Sequence, residues 1–288
     1  MLEYRPSIKP SETMIKIYAL IRETFLEALS KKVFIVFAII STAGLLVLVA
    51  YCFSSGFQEQ IQNLQPTADD PLGVALREKL RSLQSGISFA FFNAALILAI
   101  IITSDMVPNM MTKGVIDLLL SKPLSRVTLL FGKVLGGFAV VLVLTLYFML
   151  GSWLIISLAT GVWTSGYMMS LVPLIVTFLG LYGILVYVGI QSRSAVSGMV
   201  ICFLIVYTAS PLLFSREELM FQAVTSDVWR SLITLVYHTT PQVADMAQIT
   251  SNIVQEKTVT NTVPYFNSLA YALVFFGLSA FSFARKEF

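Results

Sequence analysis

The sequence predicts an all-α membrane protein with six transmembrane helices, cytoplasmic N- and C-termini and an N-terminal amphipathic interfacial helix. Three observations carry that class. First, 57% of the residues are hydrophobic and 12% are charged, against roughly 45–50% and about 25% in soluble domains, which is too much apolar surface for one water-soluble core. Second, six stretches, near 33–53, 86–107, 134–158, 168–190, 195–214 and 264–284, reach the roughly 17–25 apolar residues that cross a hydrocarbon core about 30 Å thick. Third, the basic residues alternate sides. Arg5, Lys9, Lys16, Arg22, Lys31 and Lys32 precede the first stretch, Lys113, Lys122, Arg126 and Lys133 lie between the second and third, Arg193 follows the fourth, and Arg285 and Lys286 end the chain. The longer alternate loops hold only Arg77, Lys79, Arg81, Arg216, Arg230 and Lys257. The positive-inside bias then places both termini in the cytoplasm, as an even number of spans requires.

The chain reads as a single transmembrane unit over 1–288 with no separate soluble domain. Before the first span, residues 13–30 ("TMIKIYALIRETFLEALS") put Met14, Ile17, Ile21 and Phe25 at helical spacing with Lys16, Arg22, Glu23 and Glu27 turned elsewhere, the pattern of an amphipathic helix. Ser11 or Thr13 caps it, and Lys31 and Lys32 at its end suit the helix dipole and anionic headgroups. Two readings fit it: a helix lying on the membrane, and one that also touches a partner. The thirty-odd residues ahead of the first span are not a cleavable export signal. Residues 54–85 form the first outer loop. The second span ends near Asp105, which is placed to pair with a basic neighbour such as Lys113.

Residues 109–126 are the unusual connection. Within "KGVIDLLLSKPLSRVTLLFGK" (113–133), Ile116, Leu119 and Leu120 share one helical face, and Lys122-Pro123 ends that helix because the residue before proline is pushed from helical dihedrals. Ser125 then caps a helix running into the third span. A basic loop needs the charges of Lys113, Lys122, Arg126 and Lys133; it does not need the apolar face. The third span is long enough to tilt or project beyond the lipid. Gly132-x-x-x-Gly136 and Gly180-x-x-Gly183 permit close helix approach. Pro173 and Pro211 are expected to kink or end the fourth and fifth spans. Residues 215–263 are a long outer loop with a short helix expected at 226–238 (Val228, Trp229, Leu232, Ile233, Val236) that dips into the outer interface.

Several classes of chemistry lack their residues. A net charge of +3 with scattered basic residues makes no nucleic-acid footprint. Cys52 and Cys202 sit inside apolar runs without paired-ligand spacing, and there is one histidine, so neither disulfide nor metal roles are indicated. Gly132-Lys133 lacks the leading glycine and following hydroxyl of a phosphate-binding loop. Asn93, Thr145, Ser152, Thr177 and Thr208 are polar groups in or near spans, readable as packing or as bonds back to their own helix. Without midplane ionisable residues or inverted repeats, a secondary transporter or channel is a weaker alternative, as is a non-transporting membrane anchor or assembly factor.

The run 114–120 followed by "SKPLSR" (121–126) and "LLFGK" (129–133) resembles the segment between the second and third spans of permeases in the type-2 ATP-binding-cassette (ABC) transporter family. "IRETFLEALSKKVF" (21–34) is similar to that family's amphipathic helix before the first span, and "YHTTPQ" (237–242) to its aromatic-x-x-x-Pro-Asn stretch. The chain departs from the pattern at Met110, Met111 and Thr112, where an acidic residue is common, at Val115 in place of threonine, and at Gln242 in place of asparagine. The resemblance implies the membrane-spanning subunit of an ATP-driven exporter. It implies no catalysis and no cofactor in this chain, with ATP and Mg held by a separate cytoplasmic ABC ATPase subunit. A second permease subunit, identical or different, and membrane lipids are the other implied partners, and a bacterial inner membrane is the implied location. Lys113, Gly114, Ile116, Leu119, Leu120, Lys122, Pro123, Ser125 and Arg126 would couple to the ATPase. Ile17, Ile21, Arg22, Phe25, Lys31 and Lys32 would form the interfacial helix.

Overall fold

The computed structural model describes residues 22–24, 26, 27, 29, 32–64, 73–112, 114–116, 125–224 and 226–286. Among them every regular element is helical, and six helical stretches are long and apolar enough to cross a membrane. α1 (Lys32–Cys52) is apolar around its circumference but buries one stripe, Phe37, Ser41, Leu45 and Cys52, leaving Ile39, Leu46 and Val47 more than 60% exposed. A helix greasy on all sides with one packed stripe is a span at the edge of a bundle. α2 (Ser55–Asn63) starts at a Ser54 cap, whose Oγ accepts from Phe57 N, and buries Phe57 and Ile61.

α3 (Val74–Ser104) begins twelve positions, about three helical turns, before the start expected from hydropathy. The extension is amphipathic: Leu76, Leu80 and Gln84 are buried at four-residue spacing while Arg77, Glu78 and Lys79 face out. The helix breaks at Asp105 and resumes as α4 (Met106–Met110), where Pro108 supplies no amide hydrogen for a continuous ladder. α5 (Arg126–Thr160) then runs 35 residues, capped by Ser125, whose Oγ accepts from Thr128 N at 3.1 Å, and closed by Gly161 at φ +74°. At 1.5 Å per residue it is roughly 52 Å long, well beyond the hydrocarbon core.

α6 (Ser165–Met169) turns the chain into α7 (Leu171–Ser192). Pro173 stands in the first turn of α7, inside the fourth candidate span (Ser165–Ser192) and beside the break at Ser170 that separates α6 from α7. The fifth span is α8 (Ala195–Leu204), a π-helical turn at Ile205–Ala209, and α9 (Ser210–Phe214). The expected disturbance from Pro211 is realised as that widened turn, which precedes the residue lacking an N–H. A second π turn (Arg216–Met220) and α10 (Phe221–Ala223) lead to α11 (Asp227–Thr239), matching the helix expected at 226–238, then α12 (Val243–Val254) and α13 (Val263–Arg285).

α7 is the most enclosed span, with α13 packed along it and α3, α8 and α12 around it. Its approach to α13 depends on glycine: a methyl at Gly180 would lie 2.8 Å from the Ser268 carbonyl oxygen, and one at Gly183 3.2 Å from Phe275 Cβ. α12 has no counterpart in the hydropathy reading, yet it buries Val243, Met246, Ala247, Ile249 and Val254 against α3 and α7. Among the described residues the bundle has a basic end, with residues 32, 105–112, 114–116, 125–126, 190–195 and 286, and an opposite end with 52–64, 73, 160–165, 215–224 and 226–262. The opposite end is tied by polar contacts: Ser85 to Ser251 at 2.6 Å, Gln255 Nε2 to Ser85 at 2.9 Å, Thr164 Oγ1 to Gln84 at 2.9 Å, and an Arg81–Glu256 ion pair.

Candidate functional site

The basic end holds Lys32, Gly114, Ile116, Ser125 and Arg126 of the residues singled out from sequence. Its root is apolar: Met110 and Met111 after the α4 break, Leu129 and Leu130 in the first turn of α5, and Ile190 at the end of α7 all belong to one buried cluster. Pro108 sits against α7, where a methyl at Gly189 would come within 3.2 Å of its ring. Gly114 adopts φ +86°, a left-handed turn that L side chains resist, and Gly114 and Val115 are exposed. Ile116 does not present itself outward as the shared apolar face suggested. It is 3% exposed inside the chain's own core, in one buried cluster with Met110, Met111, Leu129 and Leu130. Lys113, Leu119, Leu120, Lys122 and Pro123 lie outside the described residues.

Ser125 and Arg126 start the lever. Ser125 caps α5 as expected. Arg126 turns inward, its Nη1 donating to the Lys286 carbonyl at 2.6 Å, while Lys286 Nζ donates to the Ile190 carbonyl. Phe283, one turn earlier, is fully buried. Burial, with a smaller contribution from the Arg193 charge, holds the Lys286 ammonium below the ordinary lysine range. The last residues of α13 thus clip the start of α5 to the end of α7.

The amphipathic helix before α1 is represented by helical residues 22–24, 26, 27 and 29. Thr24 is 1% exposed and sits on Gly136 of α5, where a methyl would fall 2.5 Å from Thr24 Cβ. One turn along, Lys133 Nζ donates to Glu27 Oε2 at 2.5 Å. Arg22 and Lys32 are exposed; Ile17, Ile21, Phe25 and Lys31 lie outside the described residues. Sequence reasoning flagged Gly132-x-x-x-Gly136 as permitting close approach without naming the partner helix. It missed Thr24 and Glu27 as the residues that use it, and Phe283 and Lys286 as the clip. A small polar residue on the apolar side of the 13–30 pattern was the available signal for Thr24.

At the opposite end, the 237–242 stretch is the hinge between α11 and α12. Tyr237 donates to Asp245 Oδ1 at 2.7 Å and lies under the Arg216 guanidinium, 3.7 Å from the ring centre. Burial first, then the neighbouring Asp245, pushes the Tyr237 phenol up to about 12. Gln242 is 2% exposed and precedes the first turn of α12. Within the spans, Asn93, Thr145 and Thr177 bond back to Phe89, Val141 and Pro173 carbonyls of their own helices, and Ser152 also meets Tyr167 at 2.8 Å. These are structural bonds, and they assemble no polar track. Asp105 accepts from Asn109 Nδ2 at 3.2 Å.

A family model described as "ABC-2 family transporter protein" matches residues 18–288. No curated protein matches the chain.

Proposed function

Since this chain belongs to the ABC-2 transporter family and is a multi-pass membrane permease component, we propose that it is the membrane subunit of an ATP-driven exporter. The family implies association with an ABC ATPase subunit. In the proposed arrangement that ATPase binds ATP and Mg, docks in the cytoplasm on residues 113–126, and closes on nucleotide. Two permease subunits line the pathway between them, in a bacterial inner membrane. Export follows when the closure rocks the two permeases between inward- and outward-facing arrangements.

The observation that carries this reading is the double joint at the basic end. A push on residues 113–126 reaches Ile116, buried in the core, and the Ser125 cap of a helix of 35 residues that is cross-braced to the N-terminal helix by Thr24–Gly136 and Glu27–Lys133. Such a seat transmits displacement instead of absorbing it. A plain positive-inside loop needs neither the buried anchor nor the brace.

The test is co-purification of the tagged chain in mild detergent from its native cells. The informative substitutions are Leu119→Ser with Leu120→Ser, and Lys122→Glu. Arg126→Glu is unsuitable, because it also breaks the clip to Lys286. An ATPase subunit retained by the wild type and released by either variant, at unchanged permease yield, supports the proposal. Retention by both variants, or no ATPase even after gentle cross-linking, overturns it.

A further inference from the structure

A cleft of about 470 Å³ opens at the end opposite the coupling segment, between the start of the first outer loop and α3. Its volume falls in the roughly 300–1,000 Å³ range of small-molecule sites. One wall is a stripe on a single face of α3: Lys79 and Ser82 at the mouth, then Leu83, Gly86, Ile87 and Ala90. The facing wall is aromatic, Tyr51 and Phe57 with ring centres 5.0 Å apart. Gly86 gives the groove its depth, since a methyl there would meet nothing within 4 Å.

Depth relative to the bilayer is set by the charges. From Ser82 to Ser104 α3 carries no Asp, Glu, Lys or Arg, a stretch of roughly 34 Å at 1.5 Å per residue, close to the hydrocarbon thickness. Lys79 therefore stands in the headgroup layer, and Ile87 and Ala90 lie beside acyl chains. The nearby Arg81 is committed to Glu256. Lys79, on the other side of the helix, is exposed, and among the described residues it has no carboxylate or hydrogen-bond partner. Ser82 is exposed likewise.

We propose that this cleft binds an anionic phospholipid of the surrounding bilayer, its phosphate on Lys79 and the Ser82 hydroxyl and one acyl chain laid over Gly86 and Ile87. A free cation at the mouth of an apolar groove matches an anionic head above a chain; a zwitterionic head brings its own cation to Lys79 and loses that match. The site gives this end of the bundle a lipid-specific anchor beside the α1–α3 contact, and it does not depend on the ATPase reading above.

The test uses the full chain reconstituted in vesicles of equal phosphatidylglycerol and phosphatidylcholine, extracted in mild detergent and weighed by native mass spectrometry. We expect retained phosphatidylglycerol to exceed phosphatidylcholine by about fivefold, equivalent to about 1 kcal/mol for one lysine at the surface. Lys79→Gln should bring the ratio to that of the vesicles, and Gly86→Leu should remove the retained lipid of both kinds. Arg77→Gln, on a different face of the same turn, should leave the ratio unchanged. A wild-type ratio equal to that of the vesicles overturns the proposal. So does an enrichment that survives Lys79→Gln, and so does a second copy of the chain, trapped by a Gly86→Cys cross-link, occupying the groove.

Discussion

Replacing Gly136 with alanine places a methyl carbon 2.5 Å from Thr24 Cβ, 2.7 Å from its Cγ2 and 3.1 Å from its Oγ1. Carbon atoms settle near 3.5–4.0 Å, so the N-terminal helix and α5 must part by roughly 1 Å. Rotating Thr24 gives no relief, because the nearest atom is Cβ itself, which χ1 does not move. The Lys133–Glu27 contact, 2.5 Å one turn away, stretches with the separation. Overpacking of this kind costs about 1–3 kcal/mol. The assay is a thermal double-mutant cycle on the purified chain in detergent: wild type, Gly136→Ala, Thr24→Gly, and both. Thr24→Gly alone should cost only about 0.3 kcal/mol in helix propensity, since threonine is already a poor helix former. It also removes the obstructing Cβ, so Gly136→Ala should be nearly silent in its presence. The expected coupling is on the order of 1–3 kcal/mol, at roughly 2–4 °C of midpoint per kcal/mol. Strict additivity of the two substitutions would mean that the helices are not seated on each other as described, and the brace that carries the proposed function would go with it.

Four further outcomes follow from the same geometry. Ile116→Ala should destabilise by about 2–5 kcal/mol, the cost of a buried cavity, whereas Val115→Ala, at 45% exposure, should change little; equal effects in a melt would put Ile116 on the surface. Gly180→Ala should be as costly as Gly136→Ala, or more so, with no rescue by any side-chain change at Ser268, because the atom met at 2.8 Å is backbone oxygen. Lys133→Glu with Glu27→Lys should recover most of what either reversal loses, but the loss itself should stay under about 1 kcal/mol since Glu27 is 45% exposed; chemical cross-linking between the two positions reads the same recovery. Burial first holds the Asp245 carboxyl above its ordinary range, with Tyr237 and Arg216 opposing. A carboxyl raised in the folded state contributes stability that is full below about pH 4 and is lost as pH rises through the raised value. The melting difference between wild type and Asp245→Asn should therefore move against the wild type as pH increases from 4 to 7, and a difference moving the other way would show the carboxylate to be stabilised where it sits.

How much of this was legible depended on whether the signal was local. The existence of six spans, the Ser125 cap and the α11 amphipathic helix each rest on a contiguous pattern; the first, fifth and sixth spans and α11 stand within a residue or two of where hydropathy put them, whereas α3 starts twelve positions earlier. The errors arose where amphipathic helix adjoins apolar helix. Leu76, Leu80 and Gln84 repeat every four residues, but a window tuned to lipid-crossing length reads only the apolar part that follows. α12 was overlooked for the same reason, although Val243, Met246, Ala247, Thr250 and Val254 fall on one helical face. The burial of Ile116 was not legible because it follows a single backbone angle, Gly114 at φ +86°, that no side-chain pattern reports. The clip of Arg126 to Lys286 joins positions 160 residues apart through a backbone carbonyl, and a carbonyl leaves no mark on the sequence at all.

The same geometry decides which parts of the bundle can move. α5 carries no proline and is roughly 52 Å long, so a tilt of about 10° about its centre displaces each end by roughly 4–5 Å. Its far end is held to α6 and onward to α3 by Ser152–Tyr167 at 2.8 Å, Trp153 Nε1 to the Thr164 carbonyl at 2.9 Å, and Thr164 to Gln84 at 2.9 Å. Hydrogen bonds tolerate a few tenths of an ångström, so these partners must travel with α5 or separate from it. Along α5, α1 is also packed through glycine, with a methyl at Gly151 falling 2.7 Å from Leu45 and one at Gly44 3.3 Å from Phe148. The N-terminal helix, α1, α5, α6 and the far half of α3 therefore form one block. The fifth span is built the opposite way, with π turns at Ile205–Ala209 and Arg216–Met220 on either side of Pro211. α3 yields at Asp105 and Pro108. Any rocking driven from the basic end should flex at those interrupted places while the α5 block stays rigid. Amide hydrogen exchange should then be slowest along 137–156 and fastest, among the spans, around 205–220; comparable protection in the two stretches would place the hinge elsewhere.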